Sequence, residues 1–158
     1  MTRIPEWVTL GAALGCGLNA GVFFAFSSFV MPAIDRLPKS QAITAMQSIN
    51  KLAVTPVYMT ALFGTALACV GLGIWALVGD GPTGWLVAGC ALFLAGAIVV
   101  TIVANVPLNN AVDAMTPDGP GSSAAWASYF SRWTAWNHVR AATSLAACGL
   151  LTVGLRLW

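Results

Sequence analysis

The chain has 158 residues, 58% of them hydrophobic and only 8% charged, with a formal net charge of +2 and a mean hydropathy of +0.81. A soluble domain carries roughly a quarter charged residues, so seven basic and five acidic side chains cannot cover a water-facing surface of this size. A soluble enzyme, a disordered chain and a nucleic-acid partner are excluded on these grounds.

No charge falls between Trp7 and Ile34, between Leu52 and Gly79, or between Gly81 and Val112, and the stretch from Trp133 to Leu155 holds only Arg140. A bilayer core of about 30 Å takes about 20 apolar residues as helix, and in lipid each segment must satisfy its own backbone. The pattern predicts an all-α, integral membrane four-helix transmembrane bundle, one domain over residues 1–158, with spans near 7–30, 54–78, 84–106 and 136–156. The first run exceeds the roughly 7–15 apolar residues of a signal-peptide core and reads as a retained helix. Met31-Pro32 is expected to end it, because proline lacks a donor and disfavours helix in the residue before it. Thr55-Pro56 opens the second span, Gly79-Asp80-Gly81-Pro82 turns the chain into the third, and Pro107 closes or kinks that one. Thr116 to Ser123 is a loop rich in helix breakers, and Ala124 to Arg132 reads as a short interfacial helix before the fourth span.

Arg36, Lys39 and Lys51 in the first loop, with Arg132 and Arg140 at the third, outnumber Arg3 and Arg156 on the other side. The positive-inside rule then places loops one and three in the cytoplasm, with the cell membrane as the expected location. Cys16, Cys69, Cys90 and Cys148 fall one per span with no Cys-x-x-Cys and read as small apolar packing residues. Gly11, Gly15, Gly17 and Gly21 have the spacing that brings helices close.

Polar residues inside the spans stand out against this background. Asn19 shares a helical face with Phe23, and Thr101 shares one with Asn105. Asn109 and Asn110 follow Pro107, and Asn50 precedes Tyr58 at the start of the second span. On the fourth span Trp133, Trp136, Asn137, Arg140 and Ser144 form one stripe, with His138 on the flank. Each has a structural alternative: an aromatic belt for the tryptophans, interhelical hydrogen bonds for the asparagines, snorkelling for Arg140. All five acidic residues, Glu6, Asp35, Asp80, Asp113 and Asp118, are expected outside the spans, which argues against a carboxylate relay, and a lone histidine makes a poor metal site. Trp, Asn, His and Arg on one low-dielectric face suit a planar, partly anionic organic molecule. Arginine cannot act as the base, and His138 is the side chain that titrates near neutrality.

Four blocks carry a family resemblance: Gly21-Val22-Phe23-Phe24-Ala25-Phe26 running to Val30-Met31-Pro32, Ala45-Met46-Gln47-Ser48-Ile49-Asn50, Asn105-Val106-Pro107-Leu108-Asn109, and Trp133 through Arg140 with its Trp-x-x-Trp-Asn-x-x-Arg pattern. In this order they resemble the DUF1772, or anthrone oxygenase, family of small four-helix membrane proteins. The resemblance implies oxidation of an anthrone-like or other phenolic polyketide substrate by O₂ with no metal and no other cofactor. It also implies that Asn50, Asn105, Asn109, Trp133, Trp136, Asn137 and Arg140 line the substrate slot, to which the reading of the faces adds Asn19, Phe23 and Tyr58. His138, or a water held by the asparagines, would take the proton, with Asn137 orienting the substrate and Arg140 stabilising the enolate. Two alternatives use the same pocket: a cyclase or isomerase working by enolate chemistry, and a non-catalytic subunit that binds a lipid or quinone. The expected partners are a hydrophobic aromatic small molecule and the lipid bilayer, with a homo-oligomer left open.

Overall fold

A computed structural model describes residues 4–157; Arg3, counted above in the charge balance, lies outside them. Among the described residues there are helices and turns and no strand. Helix α1 runs from Ile4–Ala25 through a π turn, Phe26–Val30, into Met31–Asp35. Helix α2 is Lys39–Ala53, α3 is Pro56–Val78, and α4 runs from Thr83–Phe93 through two π turns, Leu94–Val99 and Thr101–Asn105, into Val106–Asp113. Helix α5 is Ser122–Arg156.

Four of these, over Pro5–Asp35, Pro56–Val78, Thr83–Asp113 and Ser122–Arg156, are long and apolar enough to cross a bilayer. The chain is a multi-pass membrane protein built as an all-α bundle. Its neighbours run in a ring, α1 against α3 and α5, and α4 against α3 and α5. The interior is made largely of small residues, with Ala12, Cys16, Cys69, Cys90, Ala97 and Ala147 buried together. Leu14, Leu67, Ile74 and Val103 are more than half exposed on the outside. That inversion of size is the physics of a bilayer, where acyl chains accept large apolar groups and helix contact rests on close packing.

The small residues set the seams. A Cβ on Gly96 would collide with Thr143, and one on Gly89 with Leu151, so α4 and α5 meet where a side chain is missing. In α1 the expectation of close approach holds at Gly15, against Thr65 of α3, and at Gly17, where a Cβ would lie 3.3 Å from Cys148 Sγ. Gly11 and Gly21 face open space, although each lies one turn from Gly15 or Gly17 on the same side of the helix.

The predicted stops move outward. Pro32 and Pro107 do not end their helices, which continue to Asp35 and Asp113. Each proline stands two residues after a π turn, Phe26–Val30 or Thr101–Asn105. The wider turn admits the ring and the lost donor without breaking the helix. Asp35 and Asp113 therefore ride on the last turns of spanning helices and not in loops. Likewise Ala124 to Arg132 is the first part of α5 and not a separate helix.

Helix α2 is an element the pattern of spans did not announce. Its Ala42, Ile43, Met46 and Asn50 are buried on one stripe, and it closes the end of the bundle where α1 and α4 finish. Gln47 Nε2 donates to Val112 O in the last turn of α4 at 2.9 Å and to Met115 O just beyond it at 3.0 Å, fastening α2 to the end of α4. Asn50 Nδ2 donates to Asp113 Oδ1 at 3.0 Å. Above the bundle Met31, Ile43, Met46, Val112, Trp126, Tyr129 and Trp133 form a second core. Trp126 Nε1 donates at 2.7 Å to Asp35, which also pairs with Lys39 at 2.7 Å.

Candidate functional site

Beneath α2, inside the ring of helices, lies a cavity of about 450 Å³, within the range of small-molecule pockets. Its polar wall is Asn50 from α2, Tyr58 from α3, Thr101, Asn105 and Asn109 from α4, and Trp133, Asn137 and Arg140 from α5; Phe23 and Phe26 of α1 add rings. Spacing explains the contribution of α5. At about 100° per residue, Trp133, Asn137, Arg140 and Ser144 fall within a band about 60° wide, and all four are buried.

Arg140 is the centre of the wall. It is 6% exposed, and its guanidinium carbon lies 3.8 Å from the centre of the Phe23 ring, a cation–π contact. The Tyr58 hydroxyl interacts with it from α3. Among the described residues no carboxylate forms an ion pair with Arg140, and its Nε has no hydrogen-bond partner. A buried guanidinium without a counter-charge is costly, so the cavity is electrostatically tuned to receive negative charge.

The amides are fixed from behind. Asn137 Nδ2 donates to Phe23 O and to Ser27 Oγ, both at 2.7 Å, and carbonyl oxygen can only accept, which fixes how the amide is turned. Asn105 Nδ2 donates to Trp133 O at 3.3 Å. The Oδ1 atoms of both Asn105 and Asn137 have no partner in the protein. Trp133 Nε1 donates to Asn109 Oδ1 at 2.7 Å, holding the indole plane, and its ring is 6.0 Å from that of Phe26. The wall thus carries one guanidinium beside aromatic faces and, buried behind its accessible surface, two amide oxygens without a protein partner.

Of the residues expected from sequence, Phe23, Asn50, Tyr58, Asn105, Asn109, Trp133, Asn137 and Arg140 meet at this cavity. Asn19, Trp136 and His138 are not among its walls. Asn19 Nδ2 donates to Gly15 O at 2.9 Å and Ala61 O at 3.4 Å, tying α1 to α3. Trp136 is 44% exposed: it sits about 60° from Trp133 around the helix, past the edge of the buried band. His138 is exposed, about 140° round from Trp133. The sequence reading passed over Ser27, which supports Asn137, and Met46 on the wall. Ser27 lies one turn beyond Phe23 on the same face, and that spacing was the available signal. Among the described residues no three His, Cys, Asp or Glu side chains gather in a way that could hold a metal ion.

Four spanning helices around a mainly apolar cavity that carries Arg140 and a few amides on its wall define a small multi-pass membrane protein with an internal chamber. Residues 55–150 match the family described as anthrone oxygenase. The match covers more than half of the chain, which belongs to that family. No curated protein and no solved structure matches it.

Proposed function

We propose that the chain is a membrane-embedded oxygenase that oxidises an anthrone-like hydroxyaryl ketone with O₂ and uses no cofactor. What supports this reading most is Arg140, buried without a counter-charge on the wall of a cavity that also holds Asn105, Asn137 and Tyr58. An anthrone is acidic at the methylene carbon opposite its ketone, and its conjugate base places the negative charge on the ketone oxygen. Arg140 stabilises that oxygen as charge develops on it, in a site where water does not screen it.

The remaining steps balance without a further reagent. A water held by the cavity asparagines takes the first methylene proton. The electron-rich enolate passes one electron to O₂, giving a carbon radical and superoxide, which combine at that carbon to a peroxide. Protonation of the peroxide, loss of the second methylene proton and cleavage of the O–O bond leave a carbonyl and water. The sum is CH₂ plus O₂ to C=O plus H₂O. Phe23, Phe26 and Trp133 hold the flat ring system, and Asn105 and Asn137 orient its hydroxyl groups.

The test is oxygen uptake by purified protein with emodin anthrone, read together with the isotope content of the product under ¹⁸O₂. One O₂ consumed per substrate, one labelled oxygen in the quinone and a loss of about 100-fold or more in Arg140→Gln are the expected results. Conversion of the substrate without O₂ would replace this reading with an isomerase or cyclase in the same cavity.

A further inference from the structure

Where the cavity opens bears on how it is filled. Helices α3 and α4 pack together at their hairpin end, around Val78 and Thr83, and up to the first π turn of α4. Among the described residues α3 makes no substantial contact with the Thr101–Asp113 half of α4, so the two helices diverge towards the end that holds the cavity. The gap is bordered by side chains that line the cavity and are exposed on the outside: Val54 at 69%, Phe63 at 52% and Val106 at 41%. The approach between α1 and α5 and the one over the end of the bundle are closed. Helices α1 and α5 pack closely, and α2 covers the end with Met46 and Asn50, fastened by Gln47 to the end of α4.

Depth and composition say what the gap faces. From Arg140 to Arg156 the helix rises about 24 Å at 1.5 Å per residue, out of a hydrocarbon core of about 30 Å. The cavity therefore lies just inside one membrane surface, beside Lys51 and the start of α3. An opening onto water would be edged by polar groups, whereas this one is edged by Leu52, Val54, Met59, Phe63 and Val106. Trp133, Asn137 and Arg140 stand on α5, the helix opposite α3 in the ring.

We propose that the cavity is loaded sideways from the bilayer, through the gap between the first turns of α3 and the second half of α4, by an amphiphilic planar ligand that leads with its oxygen-bearing edge. The ligand is already dissolved at the acyl–headgroup boundary, so its apolar edge stays in contact with lipid while its oxygens exchange water for Arg140, Asn105 and Asn137. Arg140 donates to an acceptor oxygen of the ligand and the cavity's polar side chains meet its ring hydroxyls, a pairing that an unsubstituted ring system cannot make. The ligand's chemistry here rests on the oxygenase reading; the route does not.

The experiment follows binding and not turnover. Full-length protein in phosphatidylcholine vesicles is mixed rapidly with 1,8-dihydroxyanthraquinone, and the absorbance change of the bound dye is recorded. Val54→Phe and Val106→Phe each narrow the gap on its lipid-exposed edge and are expected to slow association at least tenfold. Gln47→Ala, which loosens the α2 cover, leaves the association rate within twofold. Unsubstituted anthraquinone binds at least tenfold more weakly than the dihydroxy compound. Unchanged association in both phenylalanine variants, acceleration by Gln47→Ala, or no saturable binding to the parent protein overturns the proposal. Slowed association without oxygen uptake from an anthrone keeps the route and removes the oxygenase reading. Oxygen uptake with unslowed association removes the route alone.

Discussion

Arg140 lies against the aromatic face of Phe23, which leaves its charge uncompensated. A lysine at this position keeps the charge but loses the planar group that lies over Phe23 and forks towards a ligand oxygen. Arg140→Lys is therefore expected to retain binding of a hydroxyanthraquinone within about tenfold while turnover of an anthrone falls further, about 100-fold, a split read by comparing dye titration with oxygen uptake. His138 gives the contrasting case. Its exposure on the far side of α5 predicts that His138→Ala keeps the oxygen-uptake rate within twofold; a drop of tenfold or more would return it to the role of base. The sequence offered Trp136 as strongly as Trp133 and Asn137, because all three share one helical stripe, while His138 stood on its flank. Only the exact angle around the helix relative to α1 and α4 separates them.

At the scale of elements, the site depends on how helices end. The π turns Phe26–Val30 and Thr101–Asn105 both border the cavity, supplying Phe26 from one, and Thr101 and Asn105 from the other. They also let α1 and α4 run past Pro32 and Pro107, and so build the platform on which α2 lies. Replacing Gln47 by alanine removes the donor to Val112 O and Met115 O and is expected to cost about 1–2 kcal/mol. Faster hydrogen exchange across α2, with α3 and the far half of α5 unchanged, is the measurement that shows it. The proline positions were legible in the sequence and their consequence was not: a proline ends a regular helix, and a wide turn just before it is a choice made by packing. The buried stripe Ala42, Ile43, Met46 and Asn50 was likewise present in the sequence, but in a 15-residue segment of mixed polarity it does not stand out beside spans of unbroken hydrophobicity.

For the whole molecule, stability rests on contact between helices and not on withdrawal from water. Gly96, pressed against Thr143, is expected to lose about 1–3 kcal/mol on replacement by alanine, because the seam between α4 and α5 must open. Gly21 has open space around it, and alanine there is expected to be neutral or to stabilise the helix by up to about 1 kcal/mol. Thermal unfolding of the two variants in detergent micelles, compared with the parent, checks both signs.

The number of spans, their approximate limits and the all-helical class were determined by the sequence alone, because a bilayer admits no other way to satisfy the backbone of long uncharged segments. The sequence also marked which polar residues were out of place, since each carries a cost in lipid that does not depend on its neighbours. Which of those residues share a cavity, and where that cavity opens, was decided by tertiary structure. Asn19 and Asn137 are alike as buried amides that fasten helices, yet one ties α1 to α3 away from the chamber and the other ties α5 to α1 on its wall. The difference lies in how far α3 and α4 diverge, a property of two surfaces in contact that neither segment carries by itself.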